Sequence, residues 1–236
     1  MSIASTPELA PRTETMNRIR VSALLFAPVL CLAASCSQAD IAVLPKDRIQ
    51  KKSATVLASR ERADHAALVR PSGSLVSAAS GKARDRHNMP VYSFAERTRL
   101  VRTTAYTCSE DDHIAYGSKN ATGTALRYTG KVRSAAADWS YYPVGTVFRI
   151  KGLPYTYVVD DYGSALTGTG TIDLYKPNKE TMNLWGLRNV EISVVQWGSF
   201  SRSARILSER TRFSHCRQML ANIVRQDPRL SAVATR

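Results

Sequence analysis

Four aspartates in the middle of the chain are the residues best placed to do chemistry. Asp138 stands in SAAADWSYYPVGTVFRI, Asp160 and Asp161 in VVDDYGSAL, and Asp173 in GTIDLY. Carboxyl groups gathered in one site serve as general acids and bases, one moving the proton while its neighbours tune it. Asp173 has the most unusual setting. Aspartate is depleted in strands, yet this one sits between Ile172 and Leu174 in an apolar run. Period-two alternation puts Ile172 and Leu174 on one face and Asp173 on the other, beside Thr171 and Tyr175. A carboxyl held in a half-apolar sheet near other carboxyls gives up its proton reluctantly, as a general acid working near neutral pH must. Asp138 and Asp161 admit a second reading. Asp138 could start the turn before Pro143-Val144-Gly145, and Asp161-Tyr162-Gly163 could simply end a strand.

The elements that would position these groups are short. LVRTTAYT, GTVFRI, YTYVV, TIDLY and NVEISVVQW are β-branched and aromatic runs divided by turn residues. Their spacing predicts a compact, mainly β barrel over residues 99–198 rather than alternating βαβ units. Lys179 to Trp185 predicts a short helix ending at Gly186. Beyond Ser201, Phe213, Cys216, Leu220 and Ile223 recur at three and four residues among arginines. That pattern predicts a basic amphipathic C-terminal helix over 199–236, packed on the barrel or, alternatively, lying on a membrane surface. Residues 40–98 are rich in Ser, Ala and Arg, are broken at Pro71-Ser72-Gly73-Ser74, and sustain no apolar periodicity. They predict a flexible basic tether, with short helical stretches around 51–69 at most.

The wording and order of the central segments resemble a known family. TAYT (Thr104 to Thr107), ATGT (Ala121 to Thr124), AAADWSYYPVGTVFRI, VVDDYGSALTGTGTIDLY and NLWGLRNVEISVV are similar to the motifs of the 3D domain, named for its three aspartates. The resemblance spans roughly residues 100–198 and extends to the catalytic core of membrane-bound lytic transglycosylase A. It implies a six-stranded double-psi β-barrel that cleaves the β-1,4 bond between N-acetylmuramic acid and N-acetylglucosamine in peptidoglycan. It places the three aspartates on Asp138, Asp161 and Asp173, with Asp173 as the catalytic acid, and its threonine-glycine element on Thr122 and Gly123. Asp160 is an additional neighbour, and Gly163 completes the Asp-x-Gly motif. Some members carry a lysine two positions after the first aspartate, where this chain has Ser140. That departure keeps alive a wall-binding module without turnover. A hydrolase of another β-linked polysaccharide is a third reading, since fold alone does not fix function.

The compartment follows from the N-terminal segment. Val21 to Ala34, VSALLFAPVLCLAA, is uncharged and apolar, follows Arg18 and Arg20, and is too short to span a bilayer comfortably. Residues 1–39 therefore predict an export signal, with Met16 as an alternative start. Ala33-Ala34-Ser35-Cys36 resembles a bacterial lipobox, which would make Cys36 the lipidated residue, whereas Ser37-Gln38-Ala39 suits ordinary cleavage. The expectation is a lipoprotein of the cell envelope, anchored in the outer membrane and facing the periplasm. Only Cys108 and Cys216 would remain, either paired or as two separate thiols.

Net charge is +14, and it is unevenly spread. Residues 41–100 carry twelve basic and five acidic side chains, 101–198 ten and nine, and 199–236 eight and two. The charge alone would favour nucleic acid, but export and a nearly neutral centre point to anionic wall or lipid instead. Cys108 to His113 contains ligand-type residues, yet adjacent loop residues rarely converge on one metal ion. No phosphate-binding glycine loop or nucleophile elbow is present. The expectation is a monomeric, cofactor-free enzyme acting on glycan strands. Trp139 and Tyr162, each next to an aspartate, are the best candidates to stack on sugar rings.

Overall fold

A computed structural model describes residues 46–110 and 117–234. Six strands close into a barrel: β1 (Thr98–Tyr106), β2 (Val132–Ala137), β3 (Val147–Ile150), β4 (Thr156–Asp161), β5 (Ile172–Tyr175) and β6 (Arg188–Gln196). Their order around the barrel is β1-β5-β2-β4-β3-β6. β1 runs parallel to β5 and β2 parallel to β4, while the other four pairings are antiparallel. This is the expected mainly β architecture with flanking helices.

Alternation along each strand builds the interior. Val101, Ala135, Ala137, Phe148, Ile150, Tyr157, Val159, Ile172, Leu174, Val190, Ile192 and Val194 point inward and are buried. The small residues of β2 make room for the large side chains opposite. Between β5 and β6 lies α3 (Lys179–Trp185). Asn178 caps it by accepting from the Thr181 N–H, and Gly186 ends it at φ 61°, a conformation that few other residues adopt.

Both flanks differ from their expected form. Residues 46–67 form a helix, α1 (Lys46–Ala67), followed by α2 (Gly73–Ser80). This is no tether, because Glu61 and Asp64 on α1 are buried against the end of the barrel. Lys176 donates to Glu61 at 2.5 Å and Arg133 to Asp64 at 3.0 Å. Tyr128 and Tyr155 add hydrogen bonds of 2.8 and 2.7 Å to the same two acids. An apolar periodicity could not reveal this helix, because ion pairs and tyrosine hydroxyls dock it rather than an apolar stripe.

The C-terminal segment is likewise not one helix. It folds as α4 (Phe200–Ser208), α5 (Ser214–Gln226) and the short α6 (Ser231–Ala234). The predicted stripe is correct within α5, where Cys216, Leu220 and Ile223, joined by Met219, complete the barrel core with Ala204 and Leu207 of α4. Its apolar face is thus used for packing. Among the described residues no helix is long and apolar enough to cross a membrane. The export segment 1–39 with Cys36, and Asp111 to His113, lie outside the described residues.

Candidate functional site

The outer face of β1, β5, β2 and β4 brings two of the aspartates into one row. Thr104 pairs with Asp173, Asp173 pairs with Ala136, and Ala136 pairs with Asp161. Paired residues share a face, so Thr104, Asp173, Ala136 and Asp161 point the same way. As the alternation predicts, Ile172 and Leu174 are sealed in the core while Asp173 is half-buried on the outside. Thr104 donates its hydroxyl to Asp173 Oδ1 at 2.8 Å.

Asp161 is held from three sides. Its Oδ1 accepts from the Ala121 N–H at 3.1 Å and the Tyr162 N–H at 3.0 Å, and its Oδ2 accepts from the Tyr106 hydroxyl at 3.0 Å. Burial, followed by the charges of Asp161 and Asp160, pushes the Tyr106 phenol well above its usual value, so it remains a donor. Through Ala121, Asp161 also fixes the loop that carries Thr122 and Gly123. Within that loop Asn120 accepts from the Thr122 hydroxyl at 2.8 Å and from the N–H groups of Thr122 and Thr124, both at 3.1 Å. Thr122 is half-buried and Gly123 exposed, with φ 81°.

Asp160 owes its place to a β-bulge. The β2–β4 register jumps from Val159 opposite Ala135 to Asp161 opposite Ala136, leaving Asp160 as the extra residue. Its Oδ2 accepts from Arg127 at 3.0 Å and Ser134 at 2.8 Å, whereas Oδ1 is buried without a partner. Burial pushes this carboxyl above its usual range, against the pull of Arg127 and Ser134.

Asp138 stands apart from the row. It is fully buried at the end of β2. Its Oδ1 accepts from the N–H and hydroxyl of Ser140 at 2.7 and 2.6 Å, and its Oδ2 from the Gly168 N–H at 2.6 Å. Burial raises its pKa, and the bonds from Ser140 and Gly168 oppose the rise. This aspartate pins the loop leading into β5 to the turn leaving β2. The turn reading of Asp138 therefore describes its hydrogen bonds, and the loop it holds is the one that leads into the strand of Asp173.

Of the two candidate stacking residues, Trp139 must be corrected. It is entirely buried, donates its indole N–H to the Asp161 carbonyl at 2.9 Å, and belongs to the core. Its neighbour Tyr162 is half-buried, packs edge-on against Trp139 at 4.9 Å and accepts from Arg210 at 3.0 Å. Gly163 follows in extended conformation and starts the turn Ser164–Leu166. Cys108 and Cys216 are separate free thiols. Among the described residues no group of three or more His, Cys, Asp or Glu side chains could hold a metal ion.

Sequence reasoning missed the roles of Thr104, Asn120 and Arg127. Thr104 and the Ala121–Thr124 loop lay inside family-like motifs, but hydroxyls and a turn amide have no periodic signature. Arg127 precedes β2 and gave no signal at all.

The 3D domain family model matches residues 133–196, from β2 to β6, which contain all four aspartates. No curated protein matches the chain significantly. The 3D domain is a cell-wall-related domain of the barrel class and is associated with glycan-cleaving proteins of the lytic transglycosylase type. The closed six-stranded barrel that carries Asp161 and Asp173 on one face is consistent with the double-psi barrel of a 3D domain, the family this chain resembles over residues 133–196.

Proposed function

We propose that this protein cleaves the β-1,4 bond between N-acetylmuramic acid and N-acetylglucosamine in peptidoglycan, with Asp173 as general acid and then base. The observation that carries this reading is the outward row of Thr104, Asp173, Ala136 and Asp161 on a barrel that resembles a 3D domain. Protonated Asp173 gives its proton to the glycosidic oxygen as the C1–O bond breaks through an oxocarbenium-like state. The C6 hydroxyl of the same muramic acid then attacks C1, and its proton passes to the Asp173 carboxylate. One product ends in a 1,6-anhydro ring, the other carries a free C4 hydroxyl, and the acid is restored without water. Asp161 shapes the opposite wall through the Thr122–Gly123 loop, and Asp138 sets the loop that delivers Asp173.

The test is mass spectrometry of soluble products after the chain is incubated with purified sacculi. Fragments ending in 1,6-anhydro-muramic acid are expected. Reducing ends would instead mean that water is the acceptor. A second reading, a wall-binding module, draws on one observation: Asp138 and Asp161 both accept hydrogen bonds from loop N–H groups. It predicts that the protein sediments with sacculi and releases nothing.

We further propose that the chain is exported and that Cys36 carries its lipid anchor, as the apolar run Val21 to Ala34 and the sequence before Cys36 support. Cys36→Ser should release the protein from membranes, and continued retention would contradict the anchor.

A further inference from the structure

The row that carries Asp173 has a second row beside it, and that row holds a cation. β1 and β5 run parallel with Thr104 beside Asp173 and Thr103 beside Ile172. Two residues back along each strand, on the same outer face, come Arg102 and Thr171. On the other side Arg102 is paired with Asn189 of β6.

Above them stands His87, whose Nδ1 lies 2.7 Å from the Thr171 hydroxyl. The loop bearing His87 is firmly fastened. Asp85 Oδ1 accepts from the N–H groups of His87 and Met89 at 2.8 and 2.9 Å, and its Oδ2 accepts from the Gly170 N–H at 2.8 Å. Asp85 is thereby committed to backbone donors. Arg86 reaches across to the Ala165 carbonyl at 2.5 Å. Burial, then the Arg102 charge, holds the imidazole below its usual value, while Asp85 opposes them. The ring is therefore a neutral wall at neutral pH.

Arg102 is half-buried, and among the described residues no carboxylate pairs with it. Its Nε is sealed from solvent without a hydrogen-bond partner. The Nε therefore faces the protein, and it is the half-exposed remainder of the guanidinium, a charge with no carboxylate partner among the described residues, that an anion from solvent could meet. The planar fork of arginine matches a carboxylate.

We propose that Arg102, walled by His87 and Thr171, is an anion subsite beside Asp173 that takes a carboxylate on the muramic acid arm of the substrate. The carboxylate is either that of the bare lactyl group or one on the peptide attached to it. This rests on the glycan-cleaving reading and deepens it by naming the residue that would tell that reading's carboxylated glycan from a neutral β-1,4 glycan.

The test uses the full chain carrying Asp173→Asn, so that ligands bind without turnover. Calorimetric titrations compare chitotetraose, a peptide-free tetrasaccharide of alternating N-acetylglucosamine and N-acetylmuramic acid, and the same tetrasaccharide with stem peptides. The carboxylated ligands are expected to bind about tenfold more tightly than chitotetraose. Adding Arg102→Gln should erase that preference and leave chitotetraose unchanged, while Arg102→Lys should keep part of it. A preference shown by the peptide-free ligand assigns the lactyl carboxylate, and one that needs the peptide assigns a peptide carboxylate. If Arg102→Gln weakens all three ligands alike, or the preference survives it, the subsite is wrong. Chitotetraose binding with no preference for carboxylated ligands also removes the subsite alone. If none of the three glycans binds, the glycan-cleaving reading fails and the subsite falls with it.

Discussion

Asp161 and Asp173 are registered against the same residue, Ala136, from the two strands that flank β2. Their Cα atoms are therefore two strand spacings apart, roughly 10 Å, with a methyl group between them. Each is fixed by a different neighbour, Asp173 by the Thr104 hydroxyl and Asp161 by Tyr106 and two backbone N–H groups. The two carboxyls thus sit in different settings on one face, which is how acid and orienting roles are divided in a site of this kind.

Asp138 is predicted to act through the loop it holds. Asp138→Asn supplies one acceptor oxygen where Ser140 and Gly168 present donors on both sides. Whichever way the amide turns, an N–H faces an N–H, at a cost of about 1–3 kcal/mol. Thermal unfolding should show a lowered Tm together with reduced glycan release. A variant with unchanged Tm and no activity would instead make Asp138 a direct participant.

Asp160 gives a pH signature. Burial raises its folded pKa above the ordinary value of 3.8, so the folded chain holds this proton more tightly than the unfolded chain does. Stability gained this way is fully present below 3.8 and is lost as pH rises through the higher folded value. Asp160→Asn removes that loss. The Tm of the variant minus that of the wild type should therefore rise between about pH 4 and about pH 7. A difference that falls over this range would contradict the assignment.

The docking of α1 is tested by a double-mutant cycle. Glu61 and Lys176 are each about 1 % exposed or less, and burial lowers the Lys176 ammonium to about 8 against the pull of Glu61. Lys176→Met leaves Glu61 buried without its cation and should cost about 3–5 kcal/mol in urea unfolding. Glu61→Leu combined with Lys176→Met should recover most of that loss. If α1 were a free tether, Glu61→Leu alone would change nothing.

What the sequence revealed, and what it hid, follows from the kind of force each element uses. β5 was legible because Ile172 and Leu174 bury one face, and α5 because Cys216, Leu220 and Ile223 bury one stripe. The aspartates were legible as a set, but alternation could not separate Asp161, on the row with Asp173, from Asp138, which ties loops beneath it. α1 was hidden because its anchors are Glu61 and Asp64, residue types that normally mark a solvated surface. Trp139 was misread for a related reason: a neighbouring aspartate suggested a sugar platform, whereas its indole serves the Asp161 carbonyl from inside.

The most direct measurement sets the wild-type chain beside Asp173→Asn on purified sacculi, with mass spectrometry of released fragments and thermal unfolding of both proteins. The substitution keeps an acceptor for the Thr104 hydroxyl and removes the proton that the glycosidic oxygen needs. We predict anhydro-ended fragments from the wild type, none above background from the variant, and nearly equal Tm values. Wild-type turnover by a folded Asp173→Asn protein would contradict the central claim.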